Sequence, residues 1–182
     1  IDGYNQILTV GTFNDSEFRT FDFINGVLED IYRFPIEREQ YTRMYSRGMP
    51  GTCAAIADHL SSFGISTDPG LVITCTGINE AFNTVAHAIF TSNTVLFHSE
   101  HEIFTSFRLV SSAGAQLVPV SYGSEGLRAD AFREAIQHYT HKSRVLFVQS
   151  TNQIPTGITM SDRRIAEILS ICQQEKIPVI EY

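Results

Sequence analysis

The chain has 182 residues and a mass of 20.4 kDa, the length of one domain with a sizeable core or of a piece of a larger one. With 43% hydrophobic and 18% charged residues it is neither a disordered tail nor a membrane protein, and no apolar stretch approaches the roughly 20 residues of a membrane helix. The net charge of -7, with no basic run, gives no electrostatic footprint for DNA or RNA.

Residues 1–51 are rich in aromatic and acidic side chains, punctuated by Gly26, Pro35, Gly48, Pro50 and Gly51. They read as an arm that packs on a sheet domain, with a short helix near Asn14 to Leu28. From residue 52 onward, apolar runs alternate with helical patterns. Cys53, Ile56, Ala57 and Leu60 share one helical face, and Gly64 stops that helix. Residues 67–70 (Thr-Asp-Pro-Gly) form a turn. Residues 71–76 (Leu-Val-Ile-Thr-Cys-Thr) then read as a buried strand, followed by a helix carrying Phe82, Val85, Ala86 and Ile89 inward.

The alternation continues with a strand at 94–98, a helix near 101–113 and a strand at 116–120, whose Pro119 favours a sheet edge. Asp130 is the expected cap of a helix bearing Phe132, Ala135, Ile136 and Tyr139. A strand at 144–150 follows. Ser161 then caps a helix with Ile165, Ile168, Leu169 and Cys172 inward, and a last strand covers 177–182. This order predicts a three-layer αβα fold with a mostly parallel sheet. Such sheets bind ligands beyond the carboxyl ends of their strands, so the site is expected just after Thr76, His98 and Ser150.

Cys53, Cys75 and Cys172 are odd in number and far apart, with no CxxC pair. A disulfide framework is not expected, and a reducing, cytoplasmic setting is. The start of the chain has no basic segment followed by an apolar one, so it does not read as a signal peptide.

Three constellations could carry chemistry. Residues 76–80 (Thr-Gly-Ile-Asn-Glu) sit where a strand hands over to a helix, a place suited to phosphate but also used simply for tight turning. His98 and His101 flank a carboxylate, yet no third ligand is near, and a strand end does not put both rings on one face; no metal site is expected. Residues 149–157 (Gln-Ser-Thr-Asn-Gln-Ile-Pro-Thr-Gly) form a dense polar loop directly after a buried strand. No GxSxG elbow, P-loop or GxGxxG is present.

Taken in order, these segments resemble the fold-type I family that uses pyridoxal 5'-phosphate (PLP), in particular class I/II aminotransferases and the aminotransferase-like domain of MocR-type regulators. The likeness runs from Asp22 to Tyr182. Residues 22–27 followed by Phe34-Pro35 are similar to the family's entry segment, and residues 72–82 to its strand, phosphate turn and helix. Glu100-His101-Glu102-Ile103-Phe104 lies where the family commonly has Glu-x-Pro-x-Tyr. The most specific stretch, Gln153-Ile154-Pro155-Thr156-Gly157, resembles the family's Gln-Asn-Pro-Thr-Gly loop.

The resemblance implies the incomplete large domain of a PLP-dependent transferase. Residues 1–51 would be the entry arm, and residues 52–182 the partial cofactor-binding domain, ending before the Schiff-base lysine. It implies PLP as cofactor, an amino-acid substrate and a homodimer, or completion by the missing C-terminal part. Gly77 would let the phosphate approach the N–H groups of Ile78 and Asn79. Phe104 would stack on the pyridine ring, Asn152 or the Ile154 position would lie near its phenolic oxygen, and the segment at Gly26 would close over substrate. No catalytic residue is assigned in this chain.

There are departures. Ile78 replaces a hydroxyl-bearing or small residue, Ile154 replaces Asn, Phe104 lacks the Tyr hydroxyl, and Tyr182 follows Glu181 where the family often has Asp. The default reading is the N-terminal part of an aminotransferase-like enzyme. The alternatives are the effector-sensing domain of a MocR-type regulator, or an α/β ligand-binding domain without PLP.

Overall fold

The computed structural model describes residues 45–103 and 106–182. The chain divides into two compact units, one ending at Thr76 and the other spanning Gly77–Tyr182. The helix expected near Asn14 to Leu28 lies outside the described residues.

In the first unit, α1 (Pro50–Ser62) starts with proline, whose fixed φ and missing N–H suit a first helical turn. It buries Cys53 and Ala57, so it runs on through the division at residues 51/52 expected from composition. Gly64, at φ 81, follows its end. Asp68 caps a single 3-10 turn, Pro69–Leu71, by accepting from the Gly70 N–H at 2.6 Å.

The buried strand expected at 71–76 is not formed. Leu71 and Ile73 are 75% and 54% exposed, and Thr74 donates its N–H to Arg47 O at 2.8 Å rather than to a neighbouring strand. The apolar run is suited to a strand, but a strand also needs a ladder partner, and this run has none among the described residues.

The second unit is a parallel sheet with helices on both faces. Its strands are β1 (Thr94–Ser99), β2 (Gln116–Val120), β5 (Ser143–Val148) and β6 (Val179–Glu181), in the order β2-β1-β5-β6. All three pairings are parallel, with Phe97 opposite Val118 on one side and Leu146 on the other. A two-stranded hairpin, β3 (Tyr122–Gly123) with β4 (Gly126–Leu127), stands apart from the sheet.

Alternation along the strands sends side chains to two separate cores. Leu96, Val145 and Phe147 pack with Phe82 and Ala86 of α2 (Ile78–Ile89) and with Phe107 and Val110 of α3 (Phe107–Ser112). Val95, Phe97 and Leu146 pack on the opposite face with Phe132 and Ile136 of α4 (Ala129–Gln137) and with Ile168, Ile171 and Cys172 of α5 (Asp162–Glu175). Each fully buried Leu or Phe contributes about 1.5–3 kcal/mol, which is why the two-faced apolar strands dominate the fold. Arg164 clamps the hairpin to α5 by donating to Leu127 O at 2.8 Å.

Several boundaries differ from expectation. The helix expected over 101–113 is only Phe107–Ser112. Arg128, not Asp130, is the N-cap of α4, because Asp130 lies in the first turn with its carboxylate paired to the Arg128 guanidinium. In α2 the inward end is Phe90 rather than Ile89, and in α5 Ile171 is buried while Leu169 is 50% exposed. Ser161 does cap α5, accepting from the Arg164 N–H at 3.3 Å. β2 lies at one margin of the sheet, as Pro119 predicts.

Candidate functional site

The strand order places a switch point in the sheet. From β1 the chain first goes outward to β2 and then returns to β5 on the other side of β1. Loops leaving the carboxyl ends of β1 and β5 therefore diverge to opposite faces, and ligands bind in such crevices. Two of the three expected segments, after His98 and after Ser150, flank this point.

The third segment begins α2. Gly77 is its N-cap, at φ 147, where L side chains are strained. A glycine has no side-chain oxygen with which to cap the helix, so the first N–H groups, at Ile78 and Asn79, receive no side-chain cap from it and lie at the positive end of the helix dipole. Among the described residues, nothing lies within 4 Å of the place where a Gly77 Cβ would stand. Ile78 is 45% exposed, so the turn is open to an approaching anion.

A buried side chain ties this turn to the β1–α3 loop. Ser106, 8% exposed, donates to Asn79 Oδ1 at 2.6 Å. Sequence reasoning missed Ser106, because it falls inside the helix expected near 101–113 and its partner lies 27 residues away. Phe104, the expected ring-stacking residue, and Gly26 lie outside the described residues.

The two histidines of the β1 end go separate ways. His98 donates from Nδ1 to Ser99 O at 2.8 Å and meets the Phe107 ring edge-on at 4.9 Å. Burial pushes its pKa down, only partly offset by the bond to the Ser99 carbonyl. His101 instead lies 3.9 Å from Glu100 and near the Tyr122 ring. Glu100 accepts from the Tyr122 N–H at 2.8 Å. No group of three metal-ligating side chains exists among the described residues.

The loop after β5 is built around Gln153, which is 1% exposed. Its Oε1 accepts from the Thr156 hydroxyl at 2.6 Å and N–H at 3.3 Å, and its Nε2 donates to Ile154 O at 2.5 Å. Gln149 holds the same loop from its start, accepting from the Ile154 N–H at 2.9 Å and donating to Asn152 O at 3.2 Å. Asn152 sits at φ 47, and its Oδ1 accepts from the Thr159 hydroxyl at 3.5 Å. Ile154 is 41% exposed and precedes a cis peptide bond to Pro155. Asn152 and Ile154 thus share one loop, whereas Gly77, Ile78 and Asn79 belong to the turn anchored by Ser106.

At the end of β6 the side chains part. Glu181 accepts a hydrogen bond from Ser150 Oγ, while the Tyr182 ring stacks on Phe147 at 6.2 Å. A cavity of about 60 Å³, lined by Val148, Met160, Ile168, Val179, Ser150 and Glu181 among others, lies on the α5 side of the sheet. No helix among the described residues is long and apolar enough to cross a membrane.

Comparison with known proteins adds three kinds of finding. No family model matches the chain. The uncharacterized HTH-type transcriptional regulator YisV of Bacillus subtilis (strain 168) is 26% identical over 168 residues, covering 92% of this chain and 32% of that protein. The uncharacterized HTH-type transcriptional regulator YdfD of the same organism is 24% identical over 130 residues, covering 70% of this chain and 26% of that protein. The chain therefore spans about a third or less of the curated relatives it matches.

Solved structures give the fold. An archaeal alanine:glyoxylate aminotransferase superposes with a TM-score of 0.78 at 17% identity, over 99% of this chain and 47% of that one. The Pyrococcus horikoshii kynurenine aminotransferase, in complex with PMP, gives 0.76 at 16% identity over 88% of this chain and 40% of that one. LysN, the α-aminoadipate aminotransferase of Thermus thermophilus, complexed with N-(5'-phosphopyridoxyl)-L-leucine, gives 0.66 at 19% identity, over 80% of this chain and 36% of that one. The αβα architecture is that of the fold-type I aminotransferases, as the sequence resemblance implies.

Proposed function

We propose that this chain is the phosphate-holding, N-terminal part of a PLP-dependent aminotransferase-like protein that acts on an amino acid. The observation that carries the reading is the glycine-capped start of α2, held to the β1–α3 loop by the Ser106–Asn79 bond in a chain with the aminotransferase fold.

The donor set suits a phosphate dianion. The N–H groups of Ile78 and Asn79 and the dipole of a 12-residue helix converge at one exposed turn. The absence of a Cβ at Gly77 leaves room for oxygen atoms to reach the backbone. Ile78 brings no hydroxyl, so the backbone and the Asn79 amide carry the phosphate contacts on this side. Bound PLP would supply the electron sink for chemistry at an amino-acid α-carbon. The chain's own residues would hold and orient it: Phe104 by offering a flat apolar face, Asn152 by approaching the phenolic oxygen, and the Gly26 segment by covering the substrate. The entry arm at 1–51, a cytoplasmic setting and a homodimer belong to the same proposal, as does completion by chain beyond this region.

The test is to add PLP to the whole protein and record the absorbance of bound cofactor near the visible edge, then to add amino acids and follow the band. A protein that takes up no PLP sinks the reading.

A second reading is favoured by the two curated relatives, both HTH-type transcriptional regulators. In it, the same site senses an amino acid or PLP and relays occupancy to a DNA-binding segment elsewhere in the protein. Cofactor uptake with turnover of amino acid to keto acid supports the enzyme. Cofactor uptake without turnover, with DNA retention that changes on adding PLP, supports the regulator.

A further inference from the structure

Ser106 is the N-cap residue of α3, yet its hydroxyl makes no cap to that helix. An N-cap serine ordinarily accepts from its own helix's free N–H groups, which stabilises the helix. This one donates instead to Asn79 Oδ1, 27 residues earlier in the chain, at 2.6 Å. Ser106 is 8% exposed, so the donor side of the contact is buried, while Asn79 lies at the surface where a ligand can reach it. Local helix stability is thus forgone for a long-range bond that ends at the first turn of α2.

We infer that Ser106 is a positioning residue for phosphate recognition, acting through Asn79; the inference rests on the PLP reading above. A hydroxyl that donates selects the carbonyl end of the Asn79 amide, and so turns the NH2 end away from Ser106. That end becomes a third N–H donor at the turn, beside the backbone N–H groups of Ile78 and Asn79. A phosphate is an acceptor only, so an amide free to flip would also present its oxygen, which repels the ligand. The observed bond occupies the Asn79 oxygen, which leaves the NH2 end as the side-chain contact and compensates for the hydroxyl that Ile78 lacks.

The experiment compares PLP with pyridoxal, which differs only by the phosphate, as ligands of the whole protein. Ser106→Ala is expected to weaken PLP roughly fivefold and to leave pyridoxal unchanged. Ser106→Thr, which keeps the hydroxyl, is expected to restore PLP binding to within about twofold. In the double variant, Ser106→Ala is expected to add no further loss to that of Asn79→Ala, because the serine acts through the amide. A loss shared equally by PLP and pyridoxal, an additive double variant, or no loss at all overturns the inference. These outcomes leave the PLP reading standing, whereas a wild-type protein that binds no PLP removes both.

Discussion

The buried amide of Gln153 accepts from the Thr156 hydroxyl at 2.6 Å, and this pair makes the loop after β5 self-supporting. Around it, the Gln153 N–H donates to Ile158 O at 2.9 Å and the Gly157 N–H returns to Gln153 O at 2.6 Å. The loop is therefore braced through its own polar groups.

Replacing Gln153 with Leu leaves the Thr156 N–H without its Gln153 acceptor and the hydroxyl without its buried acceptor. The expected cost is about 1–3 kcal/mol in a urea or guanidinium unfolding curve. Gln153→Glu retains an acceptor for Thr156 but sets a buried carboxylate oxygen against Ile154 O, the 2.5 Å partner of Nε2, so its cost is expected to fall as the pH is lowered and the carboxyl gains a proton to donate. A Glu variant whose loss does not change with pH would mean that volume, not hydrogen bonding, sets the effect.

Gly77→Ala tests the turn. No atom of the described residues lies within 4 Å of the added Cβ, so the expected penalty is that of the backbone at φ 147. About 1–2 kcal/mol of stability should be lost, together with affinity for PLP. An alanine variant as stable and as tightly bound to PLP as wild type would show that the turn does not require this conformation.

His98 is expected to make the fold acid-sensitive. Its folded pKa lies below the ordinary value of 6.5, chiefly through burial, so the unfolded chain takes up a proton that the fold resists. Stability from this group is present above about pH 6.5 and declines as pH falls through that value. His98→Gln is expected to flatten the wild-type fall in denaturation midpoint between pH 8 and pH 5. Parallel pH profiles for the two proteins would remove His98 as the cause.

The thiols should separate cleanly. Burial pushes Cys172 from 9.0 up to about 11, while Cys75 is exposed. Iodoacetamide at pH 8 should modify Cys75 in the folded protein and reach Cys172 only after unfolding. Because the folded pKa is the higher one, the Cys172 contribution to stability holds below pH 9 and is lost as pH rises towards 11. Mass spectrometry of peptides after brief alkylation reads the first outcome; equal labelling of the two cysteines would contradict it.

Much of the sheet was legible in the sequence for a simple reason. Residues 94–98, 116–120 and 144–148 are short apolar runs bounded by polar turns, and each lies beside another strand. Residues 71–76 carry the same signal without a ladder partner among the described residues, so the pattern alone overstates them. Single-residue capping chemistry was legible at Ser161 but not at Asp130, where a neighbouring arginine takes the carboxylate. The polar loop at 149–157 could be placed from sequence, but which amide turns inward could not. That depends on Thr156 closing back onto Gln153. Ser106 was hidden more deeply, since its partner lies in another element and nothing local marks the connection.

Pro119 has a consequence for how the sheet can grow. It removes one backbone donor from β2, the strand at one margin, and so spoils the regular ladder that a newcomer would need there. At the opposite margin, Val179, Ile180 and Glu181 of β6 all retain their N–H groups. The sheet is thereby polarised: the β2 margin lacks one ladder donor, which disfavours edge-to-edge pairing there, while the β6 margin keeps its donors.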